Sequence, residues 1–232
     1  MILKIAGIQK LTLLDYPGFV ACTVFTYGCN FRCPFCHNAD LVADRRQQKP
    51  LPEQVFWNLL EDRRGILEGV VISGGEPLLQ PDLGAFLWKI KTEGYLVKLD
   101  TNGSFPDRLR LLLEEKLVDF VAMDIKNSPE KYAFTSGAAV DPEIVSQSIA
   151  LLLEKNVPCE FRTTAVKEFH TPADFTKIGK WIAGAEQYYI QCFEDSGNLL
   201  SDGWTRPDGE ELQAFLSAVQ EFIPQAKLRG VS

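Results

Sequence analysis

The sequence predicts an α/β fold, in which short apolar strands alternate with amphipathic helices to form an open, partial barrel of parallel strands. Three observations support this prediction. The chain repeats one unit: a β-branched apolar run, a turn, then an amphipathic segment. The apolar runs are nearly continuous, as expected for parallel strands buried on both faces. Strict alternation of strands and helices is typical of parallel sheets with right-handed crossovers.

The predicted strands are short apolar runs separated by turns. They are Val20–Tyr27, Gly69–Ser73, Leu96–Asp100, Phe120–Lys126, Cys159–Thr164 and Tyr188–Phe193. Six such units are too few for a closed barrel of eight, so we expect an open (β/α)6 barrel with outer helices and one side left for a substrate. A flat doubly wound sheet is the competing architecture, and periodicity alone does not separate the two.

The predicted helices begin at proline and N-cap signals and end at glycines. Pro52 begins the first, which ends at Gly65, and Asp82 begins the second, which ends at Gly94. The later helices begin at Asp107, Asp141, Thr171 and Asp208. Thr171 also pairs with Asp174 in a capping-box-like pattern.

Composition and charge narrow the class of protein. The length of 232 residues fits one large α/β domain or two small ones. We expect a single domain, residues 1–232, with an N-terminal extension over 1–19 and a polar loop over 28–38. The balance of 24 basic against 31 acidic side chains argues against a nucleic-acid partner. No signal peptide and no membrane-spanning apolar run is found in the sequence, so we expect no membrane partner and a cytoplasmic location.

Three cysteines lie within eight residues, directly after the first predicted strand. They are Cys29, Cys33 and Cys36. Thiolates are the usual ligands of iron–sulfur clusters, and a complete cubane takes four, so three cysteines leave one iron open. The alternative is a structural zinc site. It lacks a second ligand pair, because His37 adjoins Cys36 and His170 is distant in sequence.

Polar segments follow the next three predicted strands, where barrels form their active sites. They are Ser73–Pro77, Asp100–Gly103 and Asp124–Lys126. Gly-Gly before proline and Asn-Gly are often only turns, but an aspartate that ends a buried strand needs a partner. Arg162 interrupts the fifth strand. Its guanidinium suits a bidentate grip on a carboxylate, and an ion pair with Glu160 or Asp124 is the alternative.

The spacing Cys-x3-Cys-x2-Cys, with Phe35 before the last cysteine, resembles the signature of the radical S-adenosylmethionine (SAM) superfamily. The resemblance implies a partial (β/α)6 barrel and a 4Fe–4S cluster on Cys29, Cys33 and Cys36. It also implies that the amine and carboxylate of SAM chelate the open iron. Reductive cleavage of SAM would then give a 5′-deoxyadenosyl radical that takes hydrogen from the substrate.

The same resemblance implies which residues contact SAM. Ser73–Pro77 resembles the superfamily's GGEP motif, which receives the ammonium group of the cofactor. Asp100–Gly103 and Asp124–Lys126 resemble segments of pyruvate formate-lyase activating enzyme that contact the ribose and methionyl part. The cofactor-binding residues implied are Phe35, Gly74, Gly75, Glu76, Asp100, Thr101, Asn102, Asp124, Lys126 and Arg162. A monovalent cation is implied at Asp100, Thr101, Asp124 and the carbonyl of Ala122. The adenine contact is left open, because the related activase uses a histidine near the position of Gln191.

The stretch Ile5–Gly18, together with Cys36-His37-Asn38, resembles glycyl-radical activating enzymes. Among these it is similar to the activating proteins of anaerobic ribonucleoside-triphosphate reductase. The resemblance implies Cα hydrogen abstraction from a glycine of that reductase's large subunit, with flavodoxin or ferredoxin as electron donor. It also implies that Asp15–Gly18 lies near the bound peptide, although a plain turn explains those residues equally well. Two alternatives stay open: a radical enzyme acting on a pterin or deazaguanine precursor, and a non-catalytic iron–sulfur carrier or regulator.

Overall fold

The computed structural model describes residues 3–43, 49–154 and 157–230, so the first two residues of the N-terminal extension lie outside it. The described residues form the following strands: β1 Ile5–Thr12, β2 Ala21–Thr26, β3 Gly69–Gly74, β4 Leu96–Thr101, β5 Phe120–Asp124, β6 Cys159–Ala165, β7 Tyr188–Cys192 and β8 Lys227–Arg229. They also form helices α1 Ala39–Ala43, α2 Glu53–Asp62, α3 Leu83–Thr92, α4 Pro106–Glu114, α5 Tyr132–Ser136, α6 Pro142–Leu153, α7 Pro172–Trp181 and α8 Gly209–Gln220. Short 3-10 turns occupy Pro77–Leu79 and Pro129–Lys131.

The chain divides into two compact units. The first contains Met1–Asn30, Asn38–Thr101 and Asp107–Val121, and the second contains Phe31–His37, Asn102–Pro106 and Ala122–Ser232. The loop over 28–38 therefore contributes residues to both units, and the single domain over 1–232 stays a prediction. No helix among the described residues is long and apolar enough to cross a membrane.

In the first unit the strands are neighbours in the order β1-β2-β3-β4. β1 runs antiparallel to β2, whereas β2, β3 and β4 are parallel. The register places Thr23, Val71 and Lys98 side by side across these three strands, so their side chains share one face. At the amino end of that face, Tyr16 packs with Phe120 in a buried apolar cluster.

In the second unit β6, β7 and β8 are parallel neighbours. The register pairs Thr164 with Gln191 and Gln191 with Arg229, so these side chains share one face at the carboxyl ends of the strands. α7 packs on α8 outside them, where Phe175 and Phe215 stack with ring centroids 4.7 Å apart. The strands thus present polar side chains at their carboxyl ends, and the stacked rings of Phe175 and Phe215 join the two helices.

The predicted α/β fold with parallel strands is confirmed, and all six predicted strands occur with ends within two residues. Within each unit the strands follow chain order, without the reversal that defines a doubly wound sheet. The capping box of Thr171 and Asp174 is confirmed, and Asp208 forms a second one with Glu211.

Several element ends and short elements were not predicted correctly. α2 and α3 end at Asp62 and Thr92, two or three residues before the glycines expected to end them. α4 begins at Pro106, one residue before the expected Asp107, and ends at Glu114, whereas the sequence suggests that it continues to Lys116. β1, β8, α1 and α5 were missed. β1 is half exposed and its pairing with β2 is irregular, so its sequence lacks the continuous apolar run on which the strand predictions depend.

Candidate active site

The glycine pair after β3 touches the chain segment that leads into Cys29. The N–H of Glu76 donates to the carbonyl of Gly28 at 2.8 Å. A Cβ on Gly75 would lie 1.9 Å from that same carbonyl oxygen, and Gly74 has a φ of +114°. Two backbones can approach this closely only where side chains are absent. The glycines therefore fix the position of the turn that carries Glu76.

The Glu76 carboxylate is fully buried at this turn. Its Oε1 accepts hydrogen bonds from the backbone N–H of Leu78 at 3.0 Å and from the hydroxyl of Thr101 at 2.9 Å. A buried carboxylate is costly unless it is hydrogen-bonded. These two donors therefore set the orientation of the carboxylate, and they bring together two residues that the sequence assigned to separate motifs.

Asp100 is held by two neighbours on the same face of the sheet. Its Oδ1 accepts from the ammonium of Lys98 at 2.5 Å, and its Oδ2 accepts from the hydroxyl of Ser73 at 3.0 Å. The Lys98 side chain is 1% exposed. Lys98 was not predicted as a site residue, although a charged residue inside an apolar strand, two residues before an aspartate, is a usable signal.

In the second unit, Asp124 lies between two cations. Its Oδ2 is 3.0 Å from the ammonium of Lys126, and its Oδ1 is 3.0 Å from Nε of Arg162. Burial by itself raises the pKa of Asp124, but the charges of Lys126 and Arg162 outweigh it, and the pKa falls to about 2. Burial by itself lowers the pKa of Lys126, but the charges of Asp124 and Cys33 outweigh this effect. The pKa of Lys126 is therefore raised.

Arg162 also approaches Glu160, with its NH1 3.8 Å from Oε1. The ion-pair interpretation left open by the sequence is therefore what the structure shows, with both carboxylates as partners. The grip of Arg162 on a cofactor carboxylate stays a prediction.

Buried His170 has its ring nitrogens engaged by the backbone. Its Nδ1 accepts from the N–H of Val166 at 3.1 Å, and its Nε2 lies 2.9 Å from the carbonyl of Lys126. Burial lowers the pKa of this imidazole, which favours the neutral form. His170 thus supports the Lys126 backbone, and the zinc alternative gains no ligand from it. Within residues 3–43, 49–154 and 157–230, no group of three or more His, Cys, Asp or Glu side chains forms a metal site.

The cysteine loop is anchored by a turn and by aromatic packing. The N–H of Cys36 donates to the carbonyl of Cys33 at 3.0 Å, so these two thiols lie one turn apart. Buried Phe35 packs edge-to-face against Phe169 at 5.2 Å and Phe193 at 6.4 Å between ring centroids. The turn therefore supplies two of the three predicted thiolate donors, beside a lysine whose charge interacts with Cys33, and thiolates are the usual ligands of iron–sulfur clusters.

Two other predicted segments form ordered turns. The side-chain oxygen of Asn102 accepts from the N–H of Ser104 at 3.0 Å, which agrees with the turn interpretation of that segment. The carboxylate of Asp15 accepts from the hydroxyl of Thr23 at 2.7 Å. The Asp15–Gly18 turn immediately precedes β2, whereas Glu76 and Asp100 lie toward the carboxyl ends of their strands. Proximity of this turn to a bound peptide stays a prediction.

The segment expected near adenine lines a cavity of about 390 Å³. Its lining residues include Gln191, Cys192, Thr164, His37 and Arg229. Arg229 lies far beyond the motifs and was not singled out from the sequence.

Comparison with known proteins identifies the class and then the family. Residues 23–181 match the model of the Radical SAM superfamily, and this chain is a radical SAM enzyme. A Methanocaldococcus jannaschii protein that carries the name of a glycyl-radical enzyme activating enzyme, MJ1227, is 34% identical over 98% of this chain and 96% of its own length. The pyruvate formate-lyase-activating enzyme of Listeria monocytogenes is 30% identical over 77% of this chain and 75% of its own. The chain belongs to the family of glycyl-radical enzyme activating enzymes.

The solved structures agree on the fold. Streptococcus suis SuiB bound to precursor peptide SuiA superimposes with a TM-score of 0.69 at 15% identity, over 88% of this chain and 47% of that one. This chain thus spans about half the length of SuiB. The likeness confirms the α/β class, with a mostly parallel sheet and surrounding helices.

Membership of the superfamily also confirms the predicted cofactors, a 4Fe–4S cluster and SAM. It removes the non-catalytic carrier as an alternative.

Proposed function

We propose that this enzyme abstracts a hydrogen atom from the Cα of a glycine in a partner protein, and that the partner is anaerobic ribonucleoside-triphosphate reductase. The hydrogen abstraction is supported by the extent of the match to MJ1227, which covers 98% of the chain, whereas the choice of partner rests on the resemblance of Ile5–Gly18 and Cys36-His37-Asn38 to activating proteins of that reductase. The match therefore takes in nearly the whole of the N-terminal stretch as well as the cysteine loop. When bound, the cluster and SAM supply one-electron cleavage of the cofactor and a radical able to take a hydrogen atom.

In this proposal the cysteines bind the cluster and the charged side chains bind SAM. Cys29, Cys33 and Cys36 would ligate three irons of the cluster. The methionyl part of SAM carries one ammonium and one carboxylate group, which call for opposite charges in the protein. Glu76 suits the ammonium, because its carboxylate carries the opposite charge and is oriented by Thr101. Arg162 suits the carboxylate, because it presents a rigid fork of donors.

The remaining assigned residues would complete the cofactor site. Gly74 and Gly75 would hold Glu76 in place, Asp100 and Lys126 would bind the ribose or methionyl part, and Phe35 would shield the loop from water. Thr101, Asn102 and Asp124 complete the set. A monovalent cation stays a prediction. In the structure Asp100 and Asp124 are paired with cationic side chains of the protein, and a metal cation would have to compete with these side chains. Flavodoxin or ferredoxin is proposed as the electron donor.

The proposal is tested with the reconstituted holoenzyme under anoxic conditions. The enzyme, reduced flavodoxin, SAM and the reductase are mixed, and the glycyl radical is recorded as a doublet by electron paramagnetic resonance (EPR). A reductase with its radical glycine replaced by alanine gives the baseline. Cys33→Ala should abolish the doublet, whereas Cys22→Ala, a buried cysteine in β2, should retain it.

Two outcomes contradict the proposal. A doublet in pyruvate formate-lyase but not in the reductase would reassign the partner. SAM cleavage stimulated by a pterin, and by no glycyl-radical enzyme, would favour the small-molecule alternative.

A further inference from the structure

A row of alternating charges runs through the second unit and ends at β8. Its members, in order, are Lys126, Asp124, Arg162, Glu160 and Arg229. Each carboxylate thus lies between two cations. The matched superfamily model ends at residue 181, so the last member of the row lies outside the region that the model describes.

Two carboxylates act on different nitrogens of the Arg162 guanidinium. Asp124 accepts from its Nε at 3.0 Å, and Glu160 lies 3.8 Å from its NH1. The first contact is a hydrogen bond that holds Nε, whereas the second is longer than a hydrogen bond and acts on NH1 as an electrostatic attraction. The orientation of Arg162 therefore depends on where Glu160 is held.

Arg229 is the residue that holds Glu160. Its NH1 and NH2 donate to Oε1 and Oε2 of Glu160 at 3.2 and 3.0 Å. Both distances are shorter than the 3.8 Å between Glu160 and Arg162. The Glu160 side chain is 1% exposed. Arg229 is itself fixed, because its guanidinium lies 3.6 Å from the ring centroid of Tyr189.

We propose that Glu160 and Arg229 are positioning residues that set Arg162 for binding the carboxylate of SAM. The inference rests on the proposed role of Arg162 and extends it to a residue on β8. Without Arg229, the buried Glu160 carboxylate has Arg162 as the nearest cation among its described ion pairs. Glu160 would then draw the guanidinium toward itself and away from Asp124, because a buried charge requires a partner.

The test measures cofactor affinity in the reconstituted holoenzyme, by anaerobic equilibrium dialysis and by the EPR shift of the reduced cluster on ligand addition. Two probes are used: SAM, and decarboxylated SAM, which lacks the carboxylate. Glu160→Gln and Arg229→Gln should each weaken SAM binding roughly 5- to 30-fold, which lies within the range of coupling between neighbouring residues. Both variants should bind decarboxylated SAM within about 2-fold of the parent enzyme.

Matched controls separate positioning from loss of structure. Glu130→Gln and Arg64→Gln make the same changes in exposed ion pairs, and they should leave both affinities unchanged. Arg229→Lys keeps the charge but not the two-point contact. Its affinity for SAM should lie between that of the parent enzyme and that of Arg229→Gln.

The positioning role is overturned if the variants lose affinity equally for SAM and decarboxylated SAM, or if their affinity for SAM does not change. Arg162→Gln tests the underlying assignment separately. If that variant binds SAM like the parent, the role of Arg162 fails, whatever the result with the glycyl-radical partner.

Discussion

The ammonium of Lys98 lies 2.5 Å from Oδ1 of Asp100, two residues further along the same face of β4. The lysine side chain is buried where there is little water, so its charge is neutralised by the carboxylate of Asp100. This contact places a cation inside the first unit beside an aspartate that the sequence assigned to cofactor binding.

Removing that cation should destabilise the protein. Lys98→Met keeps the length of the side chain but leaves Asp100 without its ammonium partner, and we expect a loss of about 3 kcal/mol in the free energy of unfolding. Urea denaturation followed by circular dichroism measures it. Lys177→Met, in an exposed pair with Glu130, should cost much less, because surface ion pairs contribute little to stability. Equal losses in the two variants would show that the Lys98 pair is not special.

The glycine contact gives a second prediction. In Gly75→Ala the new methyl group would overlap the carbonyl of Gly28, and we expect a loss of roughly 3 kcal/mol in unfolding free energy. The loop that precedes Cys29 should shift as well, which lowers the iron content after reconstitution. Gly84→Ala is the control, because that glycine lies in α3 with its nearest atom 3.7 Å away. The unfolding free energy of the Gly84→Ala protein should rise by up to about 1 kcal/mol. A stable Gly75→Ala protein with full iron content would contradict the contact.

A third prediction separates charge from structure at Glu76. Glu76→Gln keeps an oxygen that accepts from Leu78 and Thr101, so the unfolding free energy should change by less than about 1 kcal/mol. The ammonium group of SAM loses its counter-charge, and binding should weaken by roughly 10-fold or more. Equilibrium dialysis of holoenzyme with SAM tests this. Retained affinity would remove Glu76 from the cofactor site.

The fourth prediction concerns pH. The pKa of Asp124 is lower in the folded chain than its ordinary value near 4, since Lys126 and Arg162 outweigh the effect of burial. Ionised Asp124 therefore stabilises the fold above about pH 4, and that contribution is lost as the pH falls toward about 2, a change of roughly 1 to 2 kcal/mol. Unfolding free energies measured between these pH values should fall less steeply in Asp124→Asn. Parallel curves for the two proteins would rule out this linkage.

The sequence predicted the parallel strands well because each is a short, continuous apolar run, as in Gly69–Gly74. It predicted β1 poorly, since that strand pairs irregularly and is half exposed. The same difference applies to the site. Glu76 and Asp124 follow strands in local motifs and are visible in a single sequence, whereas the contact between Glu160 and Arg229 joins residues 69 positions apart. Only the folded register of β6, β7 and β8 brings those two side chains together.

The order of protein synthesis gives the β8 contact a further consequence. Arg229 follows Cys36 by 193 residues, and at synthesis rates of about 5 to 20 residues per second the interval is roughly 10 to 40 s. The cysteine loop thus exists as nascent chain long before the strand that completes the row of charges. Iron supplied during that interval would meet thiols of a chain in which Glu160 does not yet have its contact with Arg229, so the synthesis of β8 sets the earliest moment at which the row of charges can be complete.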